Sequence, residues 1–210
     1  MTGPMLAGLT AVVAAAVAWL LTSQVAAVTP RESGWLRSRA HVPLAAAGGA
    51  GAALLADGWA ELVGFAAAAV GCALLSVIDL AVRRLPDRVV GATLLGLVLP
   101  LVLEAGISGA WADLGRAGLG ALALVAGYFV LAFIAPSGLG LGDVKFAAVI
   151  GAFLGWFGWW QVGAGTLLAF LINALVATVV LVSRRGSRRS QIPFGPAMMA
   201  GAVAAVLLAG

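Results

Sequence analysis

Eight mostly apolar runs divide the chain, and the joints between them are short. They fall at about residues 4–29, 42–56, 62–82, 88–105, 117–135, 144–160, 162–183 and 195–210. A helix rises about 1.5 Å per residue, so roughly 20 apolar residues cross the hydrocarbon core of a bilayer. Apolar residues make up 63% of the chain and charged ones 10%, against about 25% charged in an ordinary soluble domain. A water-soluble fold of this size has no way to hide so much apolar surface. A soluble enzyme, a disordered chain and a secreted disulfide scaffold therefore all fit poorly. The runs are rich in Gly and Ala, which let helix backbones approach closely in lipid. The expectation is an all-α, polytopic integral membrane bundle of about eight transmembrane helices, built as a single membrane-embedded domain over residues 1–210.

Charge tests the span count independently. Arg31, Arg37, Arg39, Arg83, Arg84, Arg88, Lys145, Arg184, Arg185, Arg188 and Arg189 all fall in alternate joints, eleven of the twelve basic residues. The other joints hold Arg116 with Asp57, Glu61, Glu104 and Asp113. The positive-inside rule then puts both termini outside and the basic joints in the cytoplasm. The net charge of +4 thus reflects topology rather than a nucleic-acid partner. The first residues, MTGPML, lack the basic start of a secretory signal, so the first run reads as a retained span. Trp59, Trp111, Trp156, Trp159 and Trp160 fall near outer ends, as an interfacial belt requires. The acids of the outer joints are expected to be solvated by water.

Two acids stand apart. Asp79, in SVIDLAVRRLPD, lies four residues before Arg83. In a helix that is about one turn, roughly 6 Å, on the membrane side of the Arg83–Arg84 pair. A carboxylate there is costly to desolvate and is a functional candidate by default. The alternative is that Arg83, at i+4, neutralises it on a shared helix face. Asp143, in PSGLGLGDVKFAAVIG, follows alternating Gly138, Gly140 and Gly142. Such a stretch resists helix, so a loop is expected to deliver Asp143 to the start of the sixth span. The alternative is an Asp that caps that helix. A phosphate-cradling loop is excluded, since no GK[ST] follows.

Asp79 and Asp143 both fall on the cytoplasmic side of this topology. Two carboxylates brought close share one proton and titrate as a unit. The ionised member can take a proton from an attacking water, and the protonated member can polarise a peptide carbonyl. Such chemistry needs no metal and no cofactor. The lone Cys72 provides no disulfide or zinc site, and His41 belongs to no convincing Ser-His-Asp pattern.

Three segments resemble the type IV prepilin peptidases, polytopic aspartic peptidases of the GxGD class. They are IDLAVRRLPD (Ile78–Asp87), GLGLGDVKFAAVIGAFLG (Gly138–Gly155) and IPFGPAMMAGA (Ile192–Ala202). Their order and spacing fit the family over about residues 60–205. The resemblance implies a catalytic pair, Asp79 and Asp143. Gly140 and Gly142 would shape the loop that places Asp143, and Lys145 matches the family's lysine. Lys145 reads either as local positive charge near the pair or as a snorkelling inner-face lysine. Asp87 reads as a cap for the fourth helix, and Pro193 and Pro196 as brackets of a rigid turn. The implied substrates are prepilins or pseudopilins, cut at the inner face of the plasma membrane. Larger members carry paired CxxC motifs after the first span, linked to N-methylation. Here TPRESGWLRSRAH fills that place, so a short form without methyltransferase activity is expected.

Three other readings fit the residues less well. A presenilin-like intramembrane protease shares GLGLGD, but it has Tyr-Asp at the first acid and a later Pro-Ala-Leu; here Ile78 precedes Asp79 and no Pro-Ala-Leu occurs. A proton-coupled transporter also uses buried acids, but would spread them along a crossing pathway. A non-catalytic scaffold leaves the two costly acids unexplained.

Overall fold

The computed structural model describes residues 3–23, 26, 38–134, 139–183 and 193–209. Among the described residues there is no strand, and eight helices follow one another. They are α1 (Gly3–Leu20), α2 (His41–Leu55), α3 (Trp59–Val82), α4 (Asp87–Ser108), α5 (Trp111–Ile134), α6 (Leu141–Phe157), α7 (Trp159–Val182) and α8 (Gly195–Leu207). Each corresponds to one apolar run. Five of them, α1, α3, α4, α5 and α7, are long and apolar enough to cross a membrane. The others are shorter, with 15 residues in α2, 17 in α6 and 13 in α8. The fold is that of a polytopic membrane helix protein. Several boundaries depart from the sequence reading. Helix α1 ends at Leu20 rather than about 29. Helix α5 begins at Trp111 rather than about 117, because its first turns accommodate Asp113 and Arg116. Helix α6 runs three residues earlier than expected, because Gly158, at φ 154°, stops it before Trp159.

The chain packs as two compact units, Met1–Leu114 and Gly115–Gly210. In the first, α3 packs on α1, α2 and α4, and α1 packs on α2. Ala14, Ala18, Ala45, Val70, Ala73, Leu74, Val77 and Ile78 form one core cluster. Alanine at the α1–α2 contact keeps those axes close; a Cβ at Gly49 would stand 2.7 Å from the Thr10 carbonyl oxygen. Two outer acids are not solvated as expected. Glu61 is 8% exposed and Glu104 is 9%. Glu61 accepts the Asp57 N–H at 2.7 Å, and the Glu104 carboxylate lies against Gly58. Gly58 is the N-cap of α3. The start of a helix leaves N–H groups without intrahelical partners and carries partial positive charge, which draws carboxylates inward.

In the second unit α8 packs on α6 and α7, and α6 on α7. Helix α5 crosses α6 through glycine. A Cβ on Gly120 would lie 2.6 Å from the Gly151 carbonyl oxygen, and one on Gly155 would lie 2.7 Å from that of Arg116. The same crossing explains the one basic residue on the wrong side of the charge pattern. Arg116 Nε donates to the Gly155 carbonyl at 2.7 Å, and its Nη2 donates to that of Trp156. A guanidinium there satisfies orphan carbonyls at the C-terminus of α6 and opposes its negative end. Trp156 is 6% exposed and belongs to this contact rather than to the expected belt. Trp59, Trp111, Trp159 and Trp160 are exposed, as the belt requires. Arg116→Gln should lower stability by about 1.5–3 kcal/mol, the worth of charged hydrogen bonds. Thermal unfolding in detergent checks this, and exposed Arg84→Gln should leave the midpoint in place.

Candidate active site

Asp79 sits in the last turn of α3, directly after the fully buried Val77 and Ile78. The helix around it is apolar and locked on three sides, so it carries Asp79 to its end with 5% exposure. The stop is abrupt. Arg83 adopts the left-handed conformation, φ 53° and ψ 36°, and its N–H donates to the Asp79 carbonyl at 2.8 Å. Glycine or asparagine normally holds that position. The left-handed residue ends the helical path at Arg83. Arg83 and Arg84 are exposed. Leu85 is buried, and Pro86 is the N-cap of α4. Asp87 therefore does not cap α4 as expected. It stands at the first helical position, exposed, where its charge suits the helix dipole.

The start of α6 also differs from the sequence reading. Helix begins at Leu141, with Gly140 as N-cap and Gly142 inside the first turn. Asp143 is thus a helical residue, not the end of a loop; Gly138 lies outside the described residues. The Asp143 Oδ2 accepts the Gly140 N–H at 3.1 Å, while the Asp143 N–H donates back to the Gly140 carbonyl at 3.0 Å. This reciprocal cap overcomes the low helix propensity of the glycines. Gly140 has φ −87° and a Cβ there would meet only ordinary contact, so neither strain nor crowding demands glycine at that position. Asp143 is partly buried and Lys145 is exposed. Residues two apart on a helix face away from each other. Asp79 belongs to the first unit, and Gly140, Gly142, Asp143 and Lys145 to the second. Among the described residues no group of three or more His, Cys, Asp or Glu side chains could hold a metal.

The third motif ends in packing. Phe194, 3% exposed, is the N-cap of α8, and Pro196 follows in its first turn, where the missing N–H costs nothing. Ile192 lies outside the described residues. The Phe194 ring stands 5.0 Å from Phe170 of α7 and 5.8 Å from Tyr128 of α5, centroid to centroid. Tyr128 stacks on Phe170 at 5.8 Å. Sequence reasoning passed over Tyr128. The signal was available, since it is the one hydroxyl-bearing side chain in the run Ala121–Ile134.

The structure is thus a polytopic helical membrane protein with a buried acid in the last turn of one helix and a second acid in the first turn of another. Residues 66–182 match the type IV leader peptidase family, and the chain belongs to that family. The match includes Asp79 and Asp143 but stops short of Phe194. The chain is 35% identical over 153 residues to the prepilin leader peptidase/N-methyltransferase of Aeromonas hydrophila, covering 68% of this chain and 48% of the relative. It is 35% identical over 127 residues to the protein of the same name from Pseudomonas putida, covering 58% and 41%. With the Bacillus subtilis protein of that name it shares 37% identity over 91 residues, covering 42% and 36%. The chain spans about half the length of the Aeromonas relative or less for the others. No solved structure matches it. These matches favour neither the presenilin-like reading nor the transporter.

Proposed function

We propose that this chain is a membrane aspartic endopeptidase that removes the short basic leader from type IV prepilins or pseudopilins at the cytoplasmic face of the plasma membrane. One observation carries the reading. Two partly or fully buried acids, Asp79 closing α3 and Asp143 opening α6, fall within the residues that match the family. Asp79 and Asp143 act as a pair, with the two units working as one peptidase domain. The ionised carboxyl removes a proton from water as its oxygen attacks the peptide carbonyl. The protonated carboxyl hydrogen-bonds the carbonyl oxygen and later returns a proton to the departing amine. Gly140 fixes Asp143 through its N–H, Gly142 forms the first turn beside it, and Lys145 supplies a cation at the same end of α6. The leader's own charges hold it in the cytoplasm and bring the scissile bond to the level of the acids.

Co-expression with a candidate prepilin, followed by mass analysis of the mature N-terminus, tests this. The expected product lacks the leader. Its new terminus is unmethylated when this chain is the one processing protein present, because one cysteine, Cys72, is all the chain holds and it is buried in α3. Methyl transfer from S-adenosylmethionine by the purified protein would refute the short-form reading. A prepilin panel left uncut would refute the peptidase reading.

A further inference from the structure

His41 is 0% exposed. It opens α2 at the end of the unit where α3 closes, because a short joint links α2 to α3 and the two helices pack side by side. Its Nε2 lies 3.1 Å from the Thr22 hydroxyl, just past the end of α1. Its Nδ1 is buried and has no hydrogen-bond partner among the described residues. An unpartnered bare nitrogen costs less than an unpartnered N–H, so Nε2 carries the proton and donates to Thr22. The joint is pinned a second time. Arg39 takes a left-handed turn, φ 48°, its carbonyl accepts the Val42 N–H at 2.9 Å, and its guanidinium stands 6.0 Å over the Trp19 ring of α1. A residue with a Cβ keeps that backbone only where its surroundings hold it. Leu21, beside Thr22, and Ala40, beside His41, both pack on the core cluster that contains Val77 and Ile78, and so does Val82. Val77 and Ile78 are the two residues before Asp79.

We propose that His41 is a positioning residue for Asp79: its uncharged ring, bonded to Thr22, latches the ends of α1 and α2 against the stretch of α3 that carries the acid. This inference rests on the reading of Asp79 as catalytic, and the experiment separates the two. The latch has a sign. A second proton would sit on Nδ1, which has no bonded acceptor. Burial opposes the charged ring most, the Ala18 carbonyl offsets part of that, and the Arg39 charge adds to it. Helices α1 and α2 bring no other ionisable side chain, while α3 brings Glu61, Cys72 and Asp79. The latch is therefore complete above the ordinary imidazole value of about 6.5, and below it weakens by up to about tenfold per pH unit.

His41 is the chain's one histidine, so nitrogen-15 labelling of histidine gives a single imidazole to follow by NMR in the detergent-solubilised protein. It should be neutral and protonated on Nε2 at about pH 6, where an ordinary imidazole is mostly charged. A ring charged at that pH overturns the proposal, whatever the enzyme does. The second arm is kinetic. His41→Ala should keep KM and lose kcat by roughly tenfold or more, as misplaced catalytic groups do. His41→Gln, whose amide donates near the Nε2 position and takes no charge, should restore kcat. Thr22→Val, which removes the hydroxyl and keeps the shape, should lose what His41→Ala loses. Parent kcat in His41→Ala or Thr22→Val sinks the positioning role while the peptidase reading stands. The third arm is the thermal midpoint, which should fall between about pH 7.5 and 5.5 by about 3 °C more in the parent than in His41→Gln. An equal fall in both overturns the latch. A neutral ring and that difference in midpoint, in a protein that cuts no prepilin, support the latch and sink the peptidase reading instead.

Discussion

Asp79→Asn and Asp143→Asn should each abolish leader removal, by about a thousandfold or more, while the protein still inserts and is recovered in the membrane fraction. Asparagine has nearly the shape of aspartic acid, but it neither gains nor loses a proton. At position 143 it preserves the local structure as well, since an amide oxygen accepts the Gly140 N–H that Asp143 accepts now. Asp143→Ala therefore makes an informative contrast. It removes the cap too, and should add about 0.5–2 kcal/mol of destabilisation to the same loss of activity. At position 79 the substitution removes an ionisable group from a site with 5% exposure, so folding is spared the cost of a buried charge. Asp57→Asn is the control. Asp57 is exposed and only its backbone N–H is engaged, by Glu61. Cleavage of a matched prepilin, read as the ratio of mature to precursor protein, checks all four. A normal rate in either Asn variant removes that residue from the proposed pair.

The second large effect lies far from the acids. Gly151→Val should destabilise the protein by about 3 kcal/mol or more and remove most of its activity with it. A Cβ at Gly151 would stand 2.8 Å from the Ala121 Cα and would press on the Gly120 carbonyl. No rotamer relieves that contact, because backbone atoms, not a flexible side-chain tip, are in the way. The helices α5 and α6 must separate. Gly151 is eight residues beyond Asp143, about 12 Å along the same helix. A shift at the crossing therefore moves the acid, and a displacement of about 1 Å can cost a hundredfold in rate. Gly118→Ala is the matched control on α5. Open space surrounds a Cβ there, and alanine in a helix interior should be neutral or stabilising by about 0.5–1 kcal/mol. Thermal midpoint and cleavage rate should fall together for Gly151→Val and hold for Gly118→Ala.

Much of the fold was legible because lipid imposes length and polarity on each segment. The apolar runs became helices in the expected order. What stayed hidden depended on contacts between segments. Nothing near Glu104 in sequence announces that its carboxylate reaches Gly58, some 46 positions away. The bonds from Arg116 to Gly155 and Trp156 span a similar distance, so charge counting saw an anomaly where the structure has a cap. The glycine pattern before Asp143 misled for a local reason. Propensity argued for loop, but one carboxylate on one N–H was enough to start the helix. Asp79 and Asp143 stood out by chemistry alone, as acids where acids are expensive, and the structure places them in the last turn of α3 and the first turn of α6. Tyr128 carried a signal as the one hydroxyl-bearing side chain of its run, but its aromatic neighbours Phe170 and Phe194 were not legible.

On the proposed function, the brevity of α6 would bear on where hydrolysis gets its water. Seventeen residues extend about 25 Å, against about 30 Å of hydrocarbon. A helix that short in a bilayer leaves a shortfall of roughly 5 Å, which a locally thinned bilayer or solvent dipping inward at the helix end would meet. Because the first turn of α6 carries Asp143, a dimple on that side would wet the carboxyl group, and the bond to be cut could stay at lipid depth while the second reactant came down to it.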